Sequence, residues 1–300
     1  MSGDVAASVH ARLANQARAD DRPFQELLQY YGLERFLYRL SKSDYRDRFI
    51  LKGALMLRVW NAPMTRPTRD IDFLGYTDNS VESLEDIIRT ICALETEDDG
   101  LKFDPQSVRG ERIKEDADYE GVRIKFIGLL GRARIPMQLD IAFGDVVYPA
   151  IEESAYPSLL GQPEPVLRMY PRETVVAEKF QAMVYLGTIN SRMKDFYDLW
   201  LLSRRFDFDG EVLGEAISRT FANRETKIDL DPVSFKAEFF EANEPVTQWQ
   251  AFLKKGPVMD APSTLAEVAG HLRNFLLPVA LAVGQGQRFG RRWEAPGPWK

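Results

Sequence analysis

The chain has 300 residues, 45% of them apolar and 28% charged, which is enough for one large domain or two modest ones. The formal net charge of −6 gives no general attraction to nucleic acid, so any such binding must rest on local patches. A single cysteine, Cys92, and two histidines, His10 and His271, exclude an intrachain disulfide and a cysteine-rich metal site and argue against zinc hydrolysis or Ser-His catalysis.

The N-terminus lacks the apolar core of a signal peptide, and no apolar run approaches the ~18–20 residues of a membrane span, so a cytoplasmic location is the default. Residues 5–18 read as a short helix. A second starts at Asp21-Arg22-Pro23, with Asp21 near the cap and Pro23 in the first turn, and carries Phe24, Leu27, Leu28 and Tyr31 at helical spacing. The pattern over 44–60 predicts another helix, ended by Asn61-Ala62-Pro63. A strand at 70–75, a helix at 81–95 and strands at 121–130 and 134–143 follow. In the last of these Ile135, Met137, Leu139, Ile141 and Phe143 point one way while Gln138, Asp140 and Ala142 point the other.

Prolines at 149, 157, 163, 165 and 171 mark a connection. It predicts a boundary between an N-terminal α/β half, 1–150, and a helical half, 151–300. Helices are expected at 172–187, 192–205 and 211–223, with weaker helical pieces at 233–253 and 263–283. The Gly/Pro/Arg-rich end is expected to be disordered.

Five segments carry chemistry. In Asp70-Ile71-Asp72-Phe73 a strand puts both acids on one face, ~7 Å apart, where they suit one or two Mg²⁺ ions; two solvated acids on an exposed edge fit the same pattern. Upstream, Gly53 and Ala54 would let a phosphate approach the backbone, although close helix packing explains them equally well. Asp140 sits on the polar face of its strand and completes a three-carboxylate cluster if that strand pairs beside 70–73. Lys179 lies mid-helix among apolar neighbours and is either a triphosphate contact or a lysine paired to an acid. Asp195 and Asp198 share a helix face, either orienting Lys179 or an attacking hydroxyl, or forming a surface ladder with Arg192 and Lys194.

Taken in series, Phe49-Ile50-Leu51-Lys52-Gly53-Ala54-Leu55, Thr68-Arg69-Asp70-Ile71-Asp72, Gln138-Leu139-Asp140-Ile141-Ala142-Phe143-Gly144-Asp145, Tyr170-Pro171-Arg172-Glu173-Thr174 with Ala177-Glu178-Lys179, and Asn190-Ser191-Arg192-Met193-Lys194-Asp195-Phe196-Tyr197-Asp198 resemble the AbiEii/AbiGii-type nucleotidyltransferase toxins, which include the mycobacterial MenT toxins. The resemblance covers about residues 45–225. It implies an α+β fold: a DNA polymerase beta-like nucleotidyltransferase core with a small mixed sheet, then a helical C-terminal lobe. It also implies a toxin with a cognate antitoxin, a role in phage defence, and transfer of NMP from an NTP to an acceptor, in some relatives the acceptor end of tRNA. Carried over by motif, Asp70 and Asp72 bind metal (Mg²⁺ or Mn²⁺), joined by Asp140. Lys52, Gly53, Ala54, Arg69 and Lys179 contact nucleotide, and Asp195 or Asp198 completes the catalytic set. Where many relatives follow Gly-Gly or Gly-Ser with a small hydroxyl residue, this chain has Gly53-Ala54-Leu55, so phosphate contact there falls to backbone N–H groups.

The mechanism expected is in-line attack of an acceptor hydroxyl on the α-phosphate, with Arg66 or Arg69 and Lys179 neutralising phosphate charge. Basic clusters at Arg66/Arg69, Arg132/Arg134, Arg204/Arg205, Lys254/Lys255 and Arg288/Arg291/Arg292 are candidates for RNA contact or plain solvated surface. Small-molecule and protein nucleotidyltransferases, and a catalytically silent antitoxin-binding member, remain open alternatives.

Overall fold

A computed structural model describes residues 2–61, 68–116, 119–254 and 261–300; Arg66 and Lys255 lie outside these. The chain forms two units, Met1–Gly144 with Glu152–Met169, and Asp145–Ile151 with Tyr170–Lys300. The proline-marked boundary at 150 thus becomes an exchange: 145–151 goes with the second unit and 152–169 returns to the first.

The first unit contains helices α1 (Ser2–Ala19), α2 (Phe24–Lys42), α3 (Met56–Val59) and α4 (Val81–Ala93), and strands β1 (Phe49–Lys52), β2 (Asp70–Gly75), β3 (Leu101–Asp116), β4 (Tyr119–Leu130), β5 (Ala133–Ala142), β6 (Glu152–Ala155) and β7 (Val166–Met169). The strands make one mixed sheet in the order β3-β4-β5-β2-β1-β7-β6. β2 runs parallel to β5 and antiparallel to β1, and β1 runs parallel to β7. Alternation sends Phe49, Leu51, Ile71, Phe73, Val122, Ile124, Leu139 and Ile141 into one core. Leu33, Phe36, Leu37 and Leu40 of α2 and Leu84, Ile88 and Ile91 of α4 join them at helical spacing. Each such side chain contributes roughly 1.5–3 kcal/mol on burial. Ser80 caps α4, its side chain accepting from the Ser83 N–H.

Beneath this core α2 buries two arginines on one acid. Arg35 Nε donates to Asp99 Oδ2 at 2.9 Å, and Arg39 donates to both Asp99 oxygens at 2.8 and 3.1 Å. Burial alone would raise the Asp99 carboxyl, but the bonds from Arg39 and Arg35 outweigh it and hold it below the usual carboxylate value. Cys92 is buried, and burial pushes its thiol up to about 12, leaving it unreactive.

Several expectations are corrected. Residues 44–60 are not one helix: 46–48 and 53–55 are short 3-10 turns, with β1 between them and α3 after. The run Phe49-Ile50-Leu51 is fully buried and paired on both sides, and Gly53 at φ +75° ends any helix through it. Pro23 is the N-cap of α2 rather than part of its first turn, and Asp21 turns at φ +51°. Strands β3, β6 and β7 were not foreseen.

The second unit holds α5 (Arg172–Leu186), α6 (Met193–Arg205), β8 (Phe208–Asp209), α7 (Gly210–Asn223), α8 (Ala237–Phe240), α9 (Asn243–Lys254), α10 (Leu265–Gly284) and β9 (Arg292–Trp293). Asp209 caps α7 and Thr264 caps α10. The end of the chain, expected to be disordered, is packed. β9 pairs with β8, and Trp293 and Trp299 stack around Phe275 with ring centroids 4.9 and 5.8 Å away. Their indole N–H groups donate to the Ser203 and Phe275 carbonyls at 2.6 and 2.9 Å. Two tryptophans with satisfied N–H groups bury enough surface to order a Gly/Pro-rich segment. Among the described residues, no helix is long and apolar enough to cross a membrane.

Candidate active site

β2 presents Asp70 and Asp72 on the face opposite Ile71 and Phe73, both acids half-buried. Sheet register extends that polar face sideways. Asp72 stands opposite Lys52 on β1 and Asp140 on β5, while Asp70 stands opposite Gln138. Asp140 in turn faces Arg123, and Gln138 faces Lys125, on β4. Lys52 is 7% exposed although it ends a strand.

Gly53 sets how Asp72 sits. A Cβ built on Gly53 would lie 1.9 Å from Asp72 Oδ2 and 2.6 Å from its Cγ. With φ at +75°, the backbone is in a region that side-chain-bearing residues avoid. The sequence therefore uses glycine here for two reasons, and the carboxylate rests directly against the backbone before the Gly53–Leu55 turn. Ala54 occupies that turn, half-buried, and Arg69 is exposed immediately before β2.

Asp140 pairs as the alternation predicted, beside β2, but its oxygens are engaged. Arg123 clamps it, Nε to Oδ1 at 2.8 Å and Nη2 to Oδ2 at 2.7 Å, and the Gln138 amide is 3.3 Å from both. Among the described residues, no group of three or more His, Cys, Asp or Glu side chains is arranged to hold a metal. The donors suited to a divalent ion are the pair Asp70 and Asp72, and Mg²⁺ commonly takes one or two carboxylates plus water and phosphate oxygens. That pair fits such an ion, with the Gly53 cradle giving Asp72 its place. Arg123 was missed by the sequence reading; its only signal was a charge opposite Asp140 in the β-hairpin register.

In the second unit α5 carries Lys179, and α6 carries Asp195 and Asp198 one turn apart. The Lys179 ammonium lies 2.5 Å from Asp195 Oδ1 and 3.0 Å from Asp198 Oδ2. Both acids are buried, at 4% and 2% exposure, so they form no surface ladder, although Arg192 approaches Asp195 at 3.9 Å. A second buried cluster, also unforeseen, adjoins along α5. Arg224 donates to Asp145 at 2.8 Å and to Gln181 at 2.9 Å, and lies 3.7 Å from Glu178. Burial, with the Glu178 and Asp145 charges, pushes the nearby Tyr170 hydroxyl well above its ordinary value. His271 bonds Ser203 at 2.9 Å within the helical core and is apart from these acids in role: burial, with Arg204, pushes it down to about 4.

Two solved structures from Helicobacter pylori are similar to the chain. One, described as a nucleotidyltransferase, is 15% identical and aligns over 87% of this chain and 96% of its own, with a TM-score of 0.47. The other, JHP933, is 13% identical over 87% and 93%, with a TM-score of 0.46. No curated protein matches the sequence. The family described as nucleotidyl transferase AbiEii toxin, type IV TA system, matches residues 35–270. A match reaching from α2 into α10, through every acid and lysine singled out above, places this chain in the AbiEii family of nucleotidyltransferase toxins from type IV toxin–antitoxin systems.

Proposed function

We propose that the chain acts as the toxin of such a pair, beside a cognate antitoxin in the cytoplasm. In this reading it moves a nucleoside monophosphate from an NTP to a hydroxyl on RNA, the tRNA 3′ end, in a Mg²⁺-dependent reaction that Mn²⁺ also supports. Phage defence is the biological setting that fits a family of this kind. The observation that carries the reading is the β2 face: two acids side by side, one seated on a glycine that leaves no room for a side chain.

Asp70 and Asp72 would hold the ion, which when bound neutralises triphosphate charge. The acceptor oxygen forms a bond to the α-phosphorus, and the bond from that phosphorus to the bridging oxygen of the β-phosphate breaks. Pyrophosphate leaves with the electron pair. The hydroxyl proton passes to a carboxylate or to solvent. Lys52, held opposite Asp72, and the backbone of Gly53 and Ala54 would face phosphate, with Arg69 as an exposed cation just before the strand. The lone pairs of Asp140 beyond those used by Arg123 face the Gln138 amide at 3.3 Å, so Asp140 would serve the ion by exchanging that amide rather than the guanidinium. On α5, Lys179 supplies an ammonium whose position Asp195 and Asp198 fix from two sides.

The test is incubation of the protein and its Asp72→Ala variant with Mg²⁺, cellular RNA and each α-³²P-labelled NTP in turn. Label in a tRNA-sized band with the wild type only is the expected result. An Asp72→Ala protein that keeps most of the activity overturns the assignment.

A further inference from the structure

A cavity of about 770 Å³ opens in the first unit where β2 begins, beside the middle of β5, closed on one side by the start of α2. Arg69, which lines it, directly precedes Asp70, and Gln138, which also lines it, is Asp70's register partner. β5 and β1 flank β2 on opposite sides, so this cavity lies across Asp70 from the Lys52-Gly53 turn. We infer that the cavity is the acceptor subsite and that it takes the terminal nucleotide of a single-stranded nucleic acid. This rests on the reading of Asp70 and Asp72 as the metal pair.

Two observations lead there. In-line displacement puts attacking and leaving oxygens on opposite sides of phosphorus. With the leaving phosphates toward Gly53, the attacking hydroxyl enters from the β5 side, where the cavity is. The second observation is the lining. The accessible apolar lining is the cross-strand pair Ile127 and Pro136, with Phe126 and Met137, 2% and 1% exposed, buried behind it in the core, and Arg69, Arg109 and Lys125 stand on the rim.

The one acid on that lining, Glu26, is already paired with Arg22. Lys125 pairs with Glu111 at 2.7 Å, but both are about half exposed and exchange readily with solvent or phosphate. The Gln29 amide is used internally, on the Arg69 and Pro136 carbonyls. What the cavity offers a ligand is therefore apolar surface and positive charge. A cationic small-molecule acceptor would meet three like charges. A serine hydroxyl of a protein would leave both features unused, and a tyrosine would use the apolar surface without the positive charge. A nucleotide uses both, its base against the apolar wall and its flanking phosphates against the cations.

The experiment measures binding of a short 5′-fluorescein-labelled single-stranded RNA with a free 3′ hydroxyl, by anisotropy, to the full chain. It compares wild type, Arg109→Glu/Lys125→Glu and Asp72→Ala. Binding of each NTP with Mn²⁺ is measured in parallel by equilibrium dialysis. Arg109 and Lys125 are exposed, so the double variant keeps the core. It should weaken RNA binding about tenfold or more and reduce the salt slope by about 1.4, at ~0.7 per phosphate contact on a single strand. NTP binding should stay within about twofold. Asp72→Ala should do the reverse, losing metal-dependent NTP binding while keeping RNA. Wild type that fails to bind the RNA overturns the inference, as does a double variant that binds it normally. Parallel loss of NTP and RNA binding in the double variant also overturns it, by giving the cavity to the donor. Failure of the metal reading instead shows as Asp72→Ala retaining NTP binding, with the RNA result unaffected.

Discussion

Gly53→Ala isolates the contact between the β1 turn and the Asp72 carboxylate. The added Cβ would start 1.9 Å from Oδ2 and 2.8 Å from the Asp72 Cβ, so rotation of the carboxylate alone does not relieve it. The backbone penalty at φ +75° is about 1–2 kcal/mol for a residue with a side chain. The carboxylate must also retreat by roughly 1 Å or more, a displacement that in a catalytic group costs on the order of 100-fold in rate. The expectation is therefore a split: a melting temperature lower by a few degrees, and kcat/KM for nucleotidyl transfer lower by about 100-fold, or ~2.7 kcal/mol. Steady-state transfer with labelled NTP and circular dichroism melting read the two quantities. Transfer within about threefold of wild type, with the melting temperature reduced as expected, would show that Asp72 does not need its seat on Gly53 and would refute the reasoning.

Asp99→Ala removes the carboxylate shared by Arg35 and Arg39, which are 1% and 5% exposed, leaving Arg35 its longer 3.5 Å contact with Glu34, and should destabilise the first unit by about 3–5 kcal/mol in urea denaturation. The same pairing predicts a pH dependence. Because the Asp99 carboxyl is held low in the fold, its contribution is present above the unfolded value near pH 4 and is lost as pH falls through the lower folded value. His271, pushed down to about 4, acts in the same direction at higher pH: the unfolded chain binds its proton from about pH 6.5 downward while the fold refuses it. Stability of the helical unit should fall as pH drops from 6.5 toward 4, and His271→Gln should flatten that slope in pH-dependent melts. Lys179→Met removes the ammonium that both buried acids, Asp195 and Asp198, contact, so it should lower both stability and transfer, whereas Lys179→Arg should recover stability more than activity. Trp293→Ala should cost about 3–5 kcal/mol and render residues beyond 285 sensitive to protease.

β2 was legible because its two acids alternate with Ile71 and Phe73, and β5 because five apolar residues alternate over nine positions. Period-two patterns of that clarity leave one reading. β1 was hidden because it is buried on both faces and carries no alternation, and the apolar residues after it continue at helical spacing into α3. β3 carries Pro105 beside a register break between Asp104 and Arg109, and proline inside a run argues against a strand. β6 and β7 are four residues each, set among prolines. At the site, the Lys179–Asp195–Asp198 contact followed from spacing plus resemblance. The Arg123 clamp on Asp140 did not, because it depends on a cross-strand register that no local pattern records.

The position of β7 also governs how the protein is made. β1 lies between β2 and β7, yet β7 leaves the ribosome more than a hundred residues after it, and residues 145–151 of the other unit come in between. Until Met169 has been synthesised, β1 presents an open edge made of Phe49, Ile50 and Leu51, a surface that invites pairing with other chains. The sheet closes late, and its closure requires a contact of high sequence separation, the kind that slows folding. A fragment ending near residue 150 would hold every acid of the β2 face and still lack the strand that covers the β1 edge, so soluble expression of these candidate acids should require the chain through at least 169.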